Sequence, residues 1–407
     1  MAQDKKERIP VEEAIARIMG AVGAPERTET KALYEALGRI LAEDVKAVIP
    51  QPPFTRSPLD GYALRAEDIR GADRGHPVSL PVVCFIPAGG TASAPLPEGC
   101  AARIMTGAPI PEGADCVIRQ EDTDQGEAQA AFYCEGMSGQ NICRQGEDIE
   151  AGDVLVSAGT RLSFAHLGVM AGQGIGTVQV FPKVRAAVMA TGDELVACGK
   201  PLKPGQIYDS NCMMLAARLT EMGVEPVMCP SGLDDLEELT RITDGLLRQY
   251  PLVITTGGVS VGQKDYMPEV AVRAGTRLLF HGIAAKPGSP VLAAERDGSV
   301  LLALSGNPFA SVATFELLAV PALAKMAGEK HWKALRVTAR LNGEFSKGSA
   351  MRRFVRARIE GGIVTVPEKG HSSGGIGTLS GCNCLVDIPG GSGPLAAGDE
   401  VTVWMLE

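Results

Sequence analysis

The chain has 407 residues, 45% hydrophobic and 21% charged, enough to bury several cores and to divide into about two to four domains. A formal net charge of −9 with no long basic run excludes nonspecific nucleic-acid and acidic-membrane binding, so an anionic substrate must meet local cations or a metal. Ten cysteines without a Cys-x-x-Cys pair and a polar start, Met1 to Arg8, unlike a signal peptide, point to a reduced cytoplasmic setting, and no apolar run approaches the ~20 residues of a membrane helix.

Two helical stripes open the chain, Val11, Ala14, Ile15, Ile18 and Met19, then Ala32, Leu33, Leu37, Ile40 and Leu41. Pro50-Gln-Pro-Pro53 breaks any helix, and the stretch to about residue 140 is rich in glycine and proline, with β-type runs at Val78–Ile86 and Cys116–Gln120. Residues 146–180 return to short-helix and turn character. These patterns predict a discontinuous N-terminal domain (1–50 and 141–182) carrying a β-rich insertion (51–140).

From Lys183 the chain alternates strands and helices, with strands expected at 184–190, 224–229, 252–256, 277–281, 291–294 and 300–304. Helices are expected near 210–222, 234–248, 265–274 and 310–327. That alternation predicts a three-layer α/β domain over 183–331, with a mostly parallel sheet that binds ligands at its strand C-terminal ends. Residues 332–407 revert to strands and predict a C-terminal β-barrel-like domain. Cys382-x-Cys384 alternates with Leu385-Val-Asp-Ile388 like a strand and reads as core packing in preference to a metal pair.

The segment Thr255-Thr-Gly-Gly-Val-Ser-Val-Gly-Gln-Lys-Asp265 follows a buried-strand pattern and precedes a helix. Such a turn presents backbone N–H groups to a phosphate-like anion, making Gly257, Gly258, Ser260 and Gly262 candidates for nucleotide binding. Gln263 stands where a Walker A loop needs Lys, and Asp265 where it needs Ser or Thr, so the ordinary NTPase reading fails. Glu194, Asp234 and Asp265 come from separate loops at one sheet edge and suit Mg²⁺, although Asp234 and Asp265 also sit where an acid caps a helix. Lys286, held before Pro-Gly, is free to meet an oxyanion or to remain a solvated lysine. The five histidines are too dispersed to suggest zinc, and no nucleophile elbow is present.

Six segments occur in one order: Ser57-Pro-Leu-Asp-Gly-Tyr-Ala63, Met105-Thr-Gly-Ala-Pro-Ile-Pro-Glu-Gly-Ala-Asp115, Thr191-Gly-Asp-Glu-Leu195, Thr256-Gly-Gly-Val-Ser-Val-Gly-Gln-Lys-Asp-Tyr266, Lys286-Pro-Gly-Ser-Pro290 and Ser305-Gly-Asn-Pro308. In this order they resemble the molybdopterin molybdenumtransferases, the molybdenum insertases related to the E domain of gephyrin, over about residues 8–407. The resemblance implies a four-domain subunit and a homodimer with active sites between subunits. It implies that adenylylated molybdopterin and molybdate give molybdenum cofactor and AMP with a divalent cation such as Mg²⁺. It places catalytic roles on Asp60, Thr106 and Lys286, and the metal on Glu194, Asp234 and Asp265. Molybdate falls to Lys286 with Arg352 or Arg353, and substrate contacts extend to Asn307 and Ser373. Molybdopterin adenylyltransferase and molybdoenzyme acceptors are candidate partners; nucleic acid and membrane are not.

The chain departs from the pattern at Thr55, Gly282, Ser289 and Ser305. Gly282 and Ser289 remove positive charge where some members carry lysine. Two other functions compete: adenylyl transfer to molybdopterin, whose enzymes carry Gly-Gly-Thr-Gly where this chain has Gly257-Gly-Val-Ser260, and a gephyrin-like scaffold that binds a receptor peptide.

Overall fold

The computed structural model describes residues 8–230, 234–260, 265–369 and 371–406. The chain forms two compact units, one from Met1–Glu43, Ala158–Ser163 and Thr177–Glu407, the other from Asp44–Ser157 and Phe164–Gly176.

The first unit is built on a six-stranded sheet in the order Glu225–Met228, Arg185–Ala190, Leu252–Thr256, Ser299–Leu304, Leu292–Arg296, Arg277–His281. The first four strands are parallel, and Leu292–Arg296 runs antiparallel to both its neighbours. The central strands are buried on both faces, which is why they read as unbroken apolar runs. Alternate residues feed two cores. Ala186, Val188 and Ala190 face the helices Val11–Ala21, Asn211–Glu221 and Pro308–Met326. Ala187 and Met189 face Leu236–Leu247 and Met267–Arg273. The helical stretch Pro308–Met326 is long and apolar enough to cross a membrane, but 83% of it is buried inside the fold, as a core helix would be. A π-turn at Phe315–Ala319 interrupts it.

From Arg185–Ala190 the chain crosses to Glu225–Met228 on one side and then returns to Leu252–Thr256 on the other. The sheet therefore has its topological switch point between the C-terminal ends of Arg185–Ala190 and Leu252–Thr256, where open α/β sheets leave a ligand crevice.

Five C-terminal strands close into a barrel: Arg352–Glu360, Ile363–Thr365, Arg336–Asn342, Glu400–Met405 and Cys384–Ile388, which returns to pair with the first. The two-residue strand Ala285–Lys286 adds to Arg352–Glu360 in parallel. Cys384 is buried in the barrel core, in keeping with the packing role read from its alternation.

The second unit carries a five-stranded sheet ordered Cys116–Arg119, Gly61–Leu64, Ala101–Ile104, Val78–Ile86, Gln129–Phe132, with the helix Phe164–Gly172.

One expected element is different. The second stripe is not a helix: Glu29–Ala32 pairs antiparallel with Thr177–Val180, Leu33–Ala36 makes a single 3₁₀ turn, and Gly38 turns the chain at φ 74°. Strand pairing supplies the backbone partners that a helix would have supplied internally. The apolar spacing misled because Tyr34 and Leu37 are exposed while Ile40 and Leu41 are buried.

Candidate active site

Two cavities adjoin at the C-terminal edge of the sheet. The larger, about 720 Å³, lies over the switch point and is lined by Glu194, Asp234, Gly257, Gly258, Ser260 and Asp265 among others. All three expected metal carboxylates thus open on one space. The smaller, about 290 Å³, is lined by Lys286, Arg353, Arg356, His371 and Ser373 among others. Pro290, Ser305 and Asn307 belong to both walls.

The glycine loop is built against the loop of the neighbouring strand. Thr191 N–H donates to Thr256 O at 2.9 Å, and Gly257 N–H to Leu304 O at 3.0 Å. Gly257 has φ 93°, and a Cβ there would lie 2.6 Å from the Thr191 carbonyl oxygen, so only glycine fits. Gly192 is restricted by its backbone, at φ 138°; the Glu194 carboxylate, 2.5 Å from where a Cβ would lie, is the end of a flexible side chain that can move aside. The His281 ring nitrogen lies 3.2 Å from Val259 O and steadies the same turn. Gly262 lies outside the described residues.

Neither Asp234 nor Asp265 caps the helix that follows it. Asp235 caps Leu236–Leu247, accepting from Glu238 N–H at 2.9 Å, and Met267–Arg273 is preceded by Tyr266 with no side-chain cap.

Among the described residues no three Asp, Glu, His or Cys side chains converge closely enough to hold an ion on their own. Mg²⁺ keeps several waters and is bound by one or two carboxylates together with substrate phosphates. Glu194, Asp234 and Asp265 around one cavity, beside a phosphate-type loop, meet that requirement.

The smaller cavity has the opposite charge. Its described lining contains Lys286, two arginines and a histidine, and no carboxylate. Arg356 is fully buried; its guanidinium donates to Gly375 O at 2.7 Å and Ser372 O at 3.1 Å, and it lies 4.3 Å from the centroid of the Phe309 ring. Burial pulls its pKa below the usual arginine value. Burial first, then the positive charges of Lys347, Arg356 and Arg353, pull the His371 pKa down as well. Arg353 Nε, Arg356 Nε and His371 Nδ1 are buried without a hydrogen-bond partner. Unsatisfied polar atoms on this scale are costly unless a water or an anion meets them, and all three belong to residues that line this cationic cavity.

The two arginines that were alternatives for molybdate separate. Arg352 is held bidentately by Asp387, at 2.8 and 2.6 Å, and also by Glu12, so its charge is already matched and it does not line the cavity. Arg353 lines it. Arg356 and His371 are brought in as well, and sequence reasoning did not select either. Ser289 lines the cavity with its hydroxyl donating to Ile283 O at 2.8 Å, whereas Gly282 does not and has φ 108°. Ser373 lines the cavity and offers its carbonyl to Phe309 N–H at 3.0 Å, at the start of Pro308–Met326.

Asp60 and Thr106 belong to the second unit. There Asp60 Oδ1 accepts from Thr106 N–H at 2.7 Å and Thr106 Oγ–H at 2.8 Å, and these bonds hold its pKa below the usual carboxylate value.

Three family profiles match the chain: the MoeA N-terminal region (domain I and II) over residues 9–174, a "probable molybdopterin binding domain" over 187–325, and the MoeA C-terminal region (domain IV) over 338–406. A molybdopterin molybdenumtransferase of Staphylococcus epidermidis is 36% identical over 414 aligned positions, covering 100% of this chain and 98% of its own. One from Staphylococcus aureus is 35% identical with the same coverage. The solved structure of a molybdopterin biosynthesis moeA protein from Pyrococcus horikoshii OT3 superposes with a TM-score of 0.86 at 30% identity, over 98% of this chain and 100% of that one.

Proposed function

The chain belongs to the molybdopterin molybdenumtransferase family, and from that premise we propose that it inserts molybdenum from molybdate into adenylylated molybdopterin and releases AMP. The observation that carries this reading is the pair of adjoining cavities with opposite electrostatic character, sharing Pro290, Ser305 and Asn307. A diphosphate fits the first, a tetrahedral oxyanion the second.

In this reading the backbone N–H groups of Gly257 to Ser260 hold the diphosphate, in the manner of a strand-to-helix anion loop. Lys286, Arg353 and Arg356 hold molybdate, with Ser373 and His371 beside it. The shared wall keeps the two ligands next to each other, so transfer becomes a reaction between neighbours in one site. Glu194, Asp234 and Asp265 would hold Mg²⁺, which when bound neutralises charge developing on the phosphates. The paired Asp60 and Thr106 belong to the second unit's share of catalysis, and we assign them to sites assembled in a homodimer. The boundaries read from the sequence, a cytoplasmic setting, and contacts with molybdopterin adenylyltransferase and molybdoenzyme acceptors are part of the same proposal.

The test is to incubate purified protein with adenylylated molybdopterin and Mg²⁺ and to follow AMP release. Release that requires molybdate, with molybdenum recovered on the pterin, is the expected result. Conversion of molybdopterin and ATP to the adenylylated form would favour the adenylyltransferase reading instead, and binding of the pterin without turnover would favour a scaffold.

A further inference from the structure

A small two-stranded flap borders the larger cavity. Leu195–Val196 pairs in parallel with Ile207–Tyr208, making a small flap whose two ends are tied to the cavity's polar residues. Ile207 N–H donates to Glu194 O at 2.9 Å, and Asp209 N–H to Val196 O at 3.0 Å. Asp209 in turn accepts from Cys212 N–H at 3.0 Å at the start of Asn211–Glu221. The flap is therefore held in register with Glu194 on one side and with a helix on the other.

Tyr208 carries the only aromatic ring among the described residues lining this cavity, and it is 44% exposed. Its hydroxyl donates to Lys200 O at 2.9 Å, which closes the intervening loop and fixes the ring by its edge. The ring face remains, and Leu195 and Ile207 of the same flap also line the cavity. A half-exposed aromatic face suits a planar heterocycle, since every base has a π-face to offer.

We infer that Tyr208 is the stacking platform for the adenine ring of the adenylylated substrate. The inference rests on the insertase reading and adds an orientation to it. The metal-accepting dithiolene belongs to the pterin half, so the pterin must lie toward the wall shared with the cationic cavity. The diphosphate occupies the glycine loop. Adenine, on the far side of the diphosphate, then falls on the part of the larger cavity that the smaller one does not share, and Tyr208 is the aromatic residue among the described ones lining that part.

The experiment is calorimetric titration of AMP and of ribose 5-phosphate, with Mg²⁺ present, into wild type, Tyr208→Ala and Tyr208→Phe. The expected result is that Tyr208→Ala weakens AMP about tenfold, the usual scale for one base–aromatic stack, and leaves ribose 5-phosphate unchanged. Tyr208→Phe, which keeps the ring, should stay within about twofold of wild type. Unchanged AMP binding in Tyr208→Ala, equal losses in both variants, or a parallel loss of ribose 5-phosphate would overturn the stacking role. Wild type that binds neither ligand would instead remove the nucleotide reading of the cavity itself.

Discussion

Lys286 and Arg353 are register partners on adjacent parallel strands, one from the α/β domain and one from the barrel, and both line the same carboxylate-free cavity. Pairing of Ala285–Lys286 with the barrel strand fixes the distance between two cations that would otherwise repel, and an anion between them resolves the repulsion. The charge missing at Ser289 is thus accompanied by an arginine contributed through strand pairing. Ser289→Lys adds a cation to the same lining and should restore molybdate dependence to Lys286→Ala. Gly282→Lys should not, because φ 108° strains any side chain and the residue does not line the cavity. Molybdate titrations of the two double variants, with thermal melts of each, check both statements.

Asp265→Asn keeps size and removes charge. It should raise the Mg²⁺ concentration needed for AMP release several-fold while leaving stability within about 0.5 kcal/mol, the range of substitutions outside packing and caps. Asp235→Ala should do the reverse, costing about 1 kcal/mol through loss of the cap to Glu238 N–H, with an unchanged Mg²⁺ requirement. Melting curves and metal titrations on the two variants separate capping from metal binding.

His371 gives the site a pH dependence of defined sign. Its folded pKa lies below the ordinary value of 6.5, so the unfolded chain binds more protons and stability falls as pH drops from 6.5 through the folded value. A molybdate dianion reverses the local field of Lys347, Arg356 and Arg353 and raises that pKa. Molybdate binding should therefore take up protons, and tighten as pH falls, through the window between the pKa of the free site and the higher pKa of the occupied one. Calorimetry in two buffers of different ionisation enthalpy measures the uptake, and His371→Gln should abolish it.

If the paired Asp60 and Thr106 act in sites assembled between subunits, Asp60→Asn and Asp265→Asn should each be nearly inactive alone at an Mg²⁺ concentration that limits the Asp265 variant but saturates wild type. Mixed and allowed to reassort, they should recover about a quarter of wild-type activity, since about half the dimers are then mixed and each carries one intact site. A mixture as inactive as its parts, with reassortment verified by mass spectrometry of tagged chains, would place both residues in one subunit's site.

Much of this was legible in the sequence because the α/β region obeys local rules. Fully apolar runs such as Leu252–Thr256 end in glycine or polar loops, and those loops meet at the sheet edge, so Glu194, Asp234, Asp265 and the glycine turn could be collected into one cavity before any geometry was known. What escaped depends on long-range pairing. Arg356 sits in Arg352-Arg-Phe-Val-Arg356, which reads as a half-exposed strand; its burial follows from closure of the barrel and the approach of Phe309. The one local signal was its position two residues from Phe354, on the same face of the strand. His371 joins the cavity from a loop and carries no such signal. Choosing between Arg352 and Arg353 required Asp387, which is 35 residues away from Arg352 in sequence.

The division of labour between the two cavities is the centre of the account, and Lys286→Ala tests it most directly because the side chain is exposed and its removal disturbs no core. Molybdate and AMP binding should be titrated separately on this variant and on wild type. Molybdate should weaken about ten- to hundredfold, the loss of one charge-assisted hydrogen bond of about 1.5–3 kcal/mol, while AMP stays within about twofold. Equal losses for both ligands, or an unchanged molybdate affinity, would contradict that division.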